Sequence, residues 1–190
     1  SVVRHLSSNN PNEKIILFVH RFSPVRKSLF YMPYILTDIL KDKNNKCVVI
    51  GGGPELEEFK IKIKEMGLLS QIKTLGEVPN SKIQDYYSIS DIFINPTYTE
   101  GFPRVLIEAM ASGLPIVTTN AGGIKDILGP KQLNYMSDIS DRDKFKELLN
   151  SLLYDDDSCN NLISENLEYV KKFSTPNVAK MYIKSIFKND

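Results

Sequence analysis

Only two cysteines occur in the 190 residues, Cys47 and Cys159. They lie far apart and show no metal-binding spacing, so neither a disulfide framework nor a metal site is indicated. Both read as reduced thiols of a cytosolic protein. Cys47, in the run KCVVI, reads as a small core residue. No excess of one charge is present: 24 basic and 23 acidic residues leave a net charge of +1. That lacks the basic bias of a nucleic-acid surface, so no nucleic-acid partner is expected. No apolar run approaches the roughly 20 residues needed to cross a bilayer, and no signal-peptide pattern opens the chain. What remains is ordinary globular composition, 42% hydrophobic and 25% charged, at a length that suits one domain with a real core.

Short apolar runs and helix signals alternate along the chain. Residues 1–13 are polar and irregular and read as a leader or linker. Strands are expected at Ile15–Val19, Cys47–Ile50, Ile72–Leu75, Ile92–Asn95, Pro115–Thr118 and Leu133–Met136. Helices are expected at Ser28–Leu40 (interrupted by Pro33), Pro54–Met66, Asn80 or Ser81 to Ser88, Pro103–Ser112 and Lys125–Leu128. Further helices follow at Asp141–Tyr154, Ser158–Lys172 and Pro176–Phe187. Repeated strand–helix alternation predicts an α/β fold, a doubly wound parallel sheet of Rossmann-like type with about six strands. Right-handed crossovers then put every strand's C-terminal end on one edge, where such sheets bind ligands. The loops on that edge carry His20-Arg21, Gly51–Pro54, Gly76–Val78, Thr97–Phe102 and Asn120–Gly123.

One loop–helix unit stands out. Glu100 precedes the helix that begins Pro103-Arg104-Val105, and Glu108 lies about one and a half turns inside it among Val105, Leu106, Ile107, Ala109 and Met110. Free backbone N–H groups at a helix start favour an anion, helped by the macrodipole, and a diphosphate fits there. Arg21, with Arg26 and Lys27 close behind, supplies cations that grip phosphate oxygens. A partly buried Glu108 needs partners, which the two hydroxyls of a ribose provide; Glu100 suits sugar hydroxyls beside the phosphate. The spacing is that of a nucleotide sugar.

Plainer readings compete with these. Arg26 and Lys27 are equally a solvated helix start, and Gly51–Gly53 is equally a tight turn or a ligand-lining loop. It is not G-x-G-x-x-G. His20 reads as a hydrogen-bonded structural residue, and His5 carries no signal. Tyr86, Tyr87 and Phe93 read as core; Tyr98 lies on the active edge within reach of a ligand. Asp155-Asp156-Asp157 reads as a solvated loop between helices, so no metal site is expected.

At the stretch Glu100-GFPRVLI-Glu108, continuing as EAMASGLPIVTTNAGG, the chain resembles the family 4 retaining glycosyltransferases of GT-B fold. FVHRFSP, VIGGGP, LGEVP and FSTPNVAKMYIKSIF match that family's pattern in order, from about Glu13 to Lys188. The resemblance implies a transfer of a mannose- or glucose-type hexose from a GDP- or UDP-sugar to a glycan or lipid-linked acceptor, with no obligatory cofactor. It implies that Glu100 contacts the transferred sugar and that Arg21, with Arg26 or Lys27, stabilises the leaving diphosphate. Glu108 would bind the ribose, Gly76 to Val78 border the base, and Gly52 line the site. Gly101, Phe102, Pro103, Arg104 and Val105 would present backbone to sugar and phosphate.

The chain departs from the family pattern after Arg21. Lys-Gly is usual there, but this sequence has Arg26-Lys27-Ser28, and His20 stands where Gly is common. The match is to the C-terminal half of a two-domain enzyme. Residues 14–173 would form the donor domain and 174–190 a helix crossing toward a missing N-terminal domain. Alone, this half is expected to bind donor but not to transfer it. The full-length enzyme is expected in the cytoplasm, with peripheral membrane association at the inner face. The rival expectation is a non-catalytic nucleotide-binding or interaction module of the same fold.

Overall fold

The computed structural model describes residues 12–25 and 32–174. The expected helix Pro176–Phe187, most of the leader, and both Arg26 and Lys27 lie outside the described residues. Among the described residues six strands form one sheet: β1 (Lys14–Val19), β2 (Asn45–Ile50), β3 (Ile72–Thr74), β4 (Ile92–Asn95), β5 (Ile116–Thr119) and β6 (Met136–Ser137). All neighbours pair in parallel, in the order β3-β2-β1-β4-β5-β6. Helices α1 (Met32–Ile39), α2 (Leu56–Glu65), α3 (Asn80–Ser88), α4 (Arg104–Ala111), α5 (Arg142–Leu153) and α6 (Asp156–Tyr169) cover the sheet. No helix among the described residues is long and apolar enough to cross a membrane.

The central strands carry unbroken apolar runs, Ile15–Val19, Cys47–Ile50 and Ile92–Ile94, because both faces are covered. Ile16, Phe18, Cys47 and Val49 point into one layer, against Met32, Leu36, Phe59 and Phe145 from α1, α2 and α5. Ile15, Leu17, Val19, Val48 and Ile50 point into the other, against Tyr87, Leu106 and Met110 from α3 and α4. The alternation has the strand's own period of two. Burial pushes the Cys47 thiol far up, as befits an inert core residue.

Four local expectations are corrected. The sixth strand is not Leu133–Met136 but Met136–Ser137, and Gln132–Tyr135 is a 3-10 turn. Here the Gln132 side-chain amide takes the place of a strand. Its Nε2 donates to the Ile116 carbonyl and its Oε1 accepts from the Ile116 N–H at 3.1 Å, so on this side of β5 Ile116 is satisfied without a backbone partner. The prolines sit outside their helices: Pro54 comes two residues before α2, and Pro103, with ψ at 87°, caps α4 rather than opening it. For α3 the cap is the extended Pro79, with no side-chain capping bond from Asn80 or Ser81. The acidic run is no free loop. The Asp155 side chain accepts from the Ser158 N–H at 2.9 Å and its hydroxyl at 2.7 Å, and these bonds hold its carboxyl below the usual range. Asp156 and Asp157 form the first turn of α6, where negative charge suits the helix dipole.

Candidate active site

The strand order reverses between β1 and β4, and a cleft of about 630 Å³ opens there, outside the C-terminal strand ends. Its first wall is three loops joined by backbone. The His20 N–H donates to the Ile50 carbonyl at 2.9 Å, Phe22 N–H to Gly52 at 2.9 Å, and Gly51 N–H to Gly76 at 2.8 Å. Such close approach demands glycine. A Cβ on Gly51, at φ +133°, would lie 1.7 Å from the His20 carbonyl oxygen; one on Gly53, at φ +136°, would lie 2.1 Å from that of Phe22. The turn is as tight as the structural reading of Gly51–Gly53 expects, and all three glycines line the cleft.

The second wall is the loop between β4 and α4. Buried threonines tie its base to β5. Thr97 N–H donates to Thr119 Oγ1 at 3.0 Å, Thr119 Oγ1 donates back to the Thr97 carbonyl, and Thr118 Oγ1 donates to the Asn95 carbonyl at 3.0 Å. Gly122 supports its tip, since a Cβ there would sit 1.8 Å from the Glu100 carbonyl oxygen. Glu100 is thus held half-buried at the cleft by rigid strands and a glycine-only contact.

The cleft brings together Arg21 and Gly52 from the first wall, Val78 from the loop after β3, and Glu100, Phe102, Pro103, Arg104 and Val105 from the second. Gly76, Gly101 and Glu108 do not line it. Gly76 works from behind, through its carbonyl on Gly51; Glu108 lies one helical turn past Val105 on α4. Tyr98 packs on the first core layer instead of lining the cleft. The anion site at α4 is narrower than expected, because the Arg104 N–H already donates to the Phe102 carbonyl and the Leu106 N–H to that of Pro103, each at 3.0 Å. The side chains of Arg21 and Arg104 are the cationic groups in the lining. No cluster of metal-ligating side chains occurs among the described residues.

Residues 4–168 match the profile of the glycosyl transferases group 1. The chain belongs to that family. It is 26% identical to the D-inositol 3-phosphate glycosyltransferase of Corynebacterium glutamicum over 167 residues, 85% of this chain and 40% of that protein. Curated relatives of this group 1 chain are spanned only in part, from 20% to 44% of their length. Its fold is shared by Anabaena HepE in complex with UDP and glucose, at a TM-score of 0.76 and 20% identity, covering 93% of this chain and 49% of HepE. It is shared also by the C-terminal domain of a group 1 protein, LpcC, from Francisella tularensis. There the TM-score is 0.71 and the identity 24%, covering 84% of this chain and 85% of that one.

Several lining residues of the group 1 cleft were not singled out by sequence. Glu77 sits against Gly52, its Oε1 only 2.6 Å from where a Cβ would stand, and Asn80 and Ile83 continue the wall onto α3. Glu77 lay inside the stretch Gly76–Val78 that the sequence put at this edge, without a role of its own. His20 is buried and stacked on Phe18, with ring centroids 4.9 Å apart, and it edges into the cleft. Tyr87 is the deeper omission. Its hydroxyl lies 3.1 Å from Glu108 Oε2, a pairing across 21 positions of sequence that no local pattern shows.

Proposed function

We propose that this chain is the donor-binding half of a retaining hexosyltransferase. The full enzyme would move a mannose- or glucose-type sugar from UDP or GDP to a glycan or lipid-linked acceptor. Residues 14–173 would form the donor domain, 1–13 a leader or linker, and 174–190 a segment that would cross toward an N-terminal domain holding the acceptor. The observation that carries the reading is the meeting of Glu100 and Arg21 with the start of α4 around one cleft at the sheet's switch point. Family membership supports transfer, the partial span of the relatives supports a second domain, and the volume falls in the range of small-molecule sites, about 300–1,000 Å³.

In this reading Glu100 accepts hydrogen bonds from hydroxyls of the transferred sugar, and Arg21 neutralises the diphosphate as the sugar C1–O bond breaks. Arg26 or Lys27 adds a second cation. The acceptor oxygen bonds to C1 on the face the diphosphate leaves and gives its proton to the departing diphosphate oxygen, so no protein nucleophile is required. Phe102 to Val105, with Gly101, border sugar and phosphate, Gly52 lines the opposite wall, and Gly76 to Val78 border the base. Glu108 accepts from the ribose hydroxyls. Catalysis then consists of positioning and charge stabilisation, completed when the second domain closes and expels water. The unpaired thiols of Cys47 and Cys159 suit a cytoplasmic setting. A lipid-linked acceptor places the enzyme at the membrane's inner face.

Glu100→Gln in the full-length protein tests this. Turnover should fall roughly 10- to 150-fold, the worth of a hydrogen bond to a charged group, while nucleotide affinity stays within about twofold. A wild-type protein that binds nucleotide but transfers nothing to any acceptor would instead be a binding module. Full turnover in the variant would remove Glu100 from the reaction.

A further inference from the structure

We infer that Tyr87 is a positioning residue that aims Glu108 at the donor's ribose, so that the ribose site is a Tyr–Glu pair and not a lone carboxylate. This rests on the reading of Glu108 given under the proposed function. Tyr87 ends α3 fully buried, with its ring against Phe93 of β4 at 5.8 Å between centroids. The ring is therefore held by the core and cannot swing with the loops above it. Its hydroxyl faces two acceptors, Glu108 Oε2 at 3.1 Å and the Val105 carbonyl at 3.4 Å. One hydroxyl carries one hydrogen. The nearer, ionised acceptor makes the stronger bond, so the phenol donates to Glu108.

Burial, and then the neighbouring Glu108 charge, push the Tyr87 phenol far above its ordinary range. It stays a donor at any working pH. The ionised carboxylate has about four lone-pair directions, and the phenol fills one of them on Oε2. The rest stay open to the two vicinal hydroxyls of a ribose. Ile83 and Val105 line the cleft, the Val105 carbonyl faces the Tyr87 hydroxyl, and Glu108 follows Val105 by three positions on the same face of α4. A ribose lying along that wall reaches the carboxylate next. Without the phenol, Glu108 keeps three free torsions, and ordering it falls on the ligand.

The test is calorimetric titration of the chain and its Tyr87→Phe and Glu108→Ala variants with UDP and GDP, and with their 2′,3′-dideoxy counterparts. Tyr87→Phe removes one O–H and keeps the ring. It should raise the dissociation constant of the ribonucleotide that binds by about 5- to 20-fold. It should leave the dideoxy ligand's affinity and the melting temperature nearly unchanged. Equal weakening of both ligands would mark a merely structural role and overturn the inference. So would unchanged binding in Tyr87→Phe beside weakened binding in Glu108→Ala, which leaves the ribose reading standing. If Glu108→Ala is silent too, or if neither nucleotide binds the wild-type chain or the full-length protein, the ribose reading falls and the inference with it.

Discussion

Arg21→Ala should reduce sugar transfer by the full-length enzyme roughly 10²- to 10³-fold, the usual cost, about 2.7–4 kcal/mol, of losing one well-placed stabiliser of developing charge. Arg21 is the second residue past β1 and lines the cleft across from Glu100. Its backbone neighbours are locked: His20 N–H is bound to Ile50, and Phe22 N–H to Gly52. The guanidinium therefore leaves a rigid edge. It is solvent-exposed here, and exposed charges interact weakly; the large effect is expected only if, as proposed, a second domain closes over the cleft and removes water around it. The loss should appear in kcat more than in KM, since the charge develops as the bond breaks. Steady-state kinetics decides. A fall confined to KM would make Arg21 a ground-state binding residue, and wild-type kinetics would remove it from the site.

Gly122→Ala should lower stability by about 2–4 kcal/mol and impair transfer as well. At φ +54° an L side chain is strained, and the new Cβ would stand 1.8 Å from the Glu100 carbonyl oxygen. That oxygen is backbone and cannot rotate away, so the loop bearing Glu100 must lift. Gly67→Ala is the matched control. It has φ +70° but nothing within 4 Å of the added Cβ, and it should cost only about 1 kcal/mol with transfer intact. Thermal melts paired with turnover measurements separate the two. If Gly122→Ala is as mild as Gly67→Ala on both counts, the contact does not hold Glu100 in place.

The strands of the sheet's centre were legible because burial on both faces writes an unbroken apolar run, as in Ile15–Val19 and Ile92–Ile94. The edge strand β6 was not. Only Met136 and Ser137 pair with β5, and the work of a longer strand falls to one glutamine side chain, which has no signature in an apolar pattern. Helix starts were misplaced by one or two residues at Pro54 and Pro103. Proline marks a helix start without saying whether it is the cap or the first turn, and the Pro103 ψ of 87° settles that only in three dimensions. Strand-end loops could be assigned to one edge from crossover handedness alone, which is how Arg21, Gly52, Val78 and Glu100 came to be grouped. Contacts between walls could not. The pairing of Tyr87 with Glu108, the seat of Gly122 under Glu100 and the lean of Glu77 on Gly52 each join distant segments.

The central claim is that this cleft holds the nucleotide half of a sugar donor. Calorimetric titration of the 190-residue chain with UDP, GDP and ADP, in the presence of EDTA, tests it most directly. The account predicts saturable binding of one nucleotide without added metal, weakened about tenfold or more by Glu108→Ala. Binding of none of the three, by the chain and by the full-length protein alike, would contradict it.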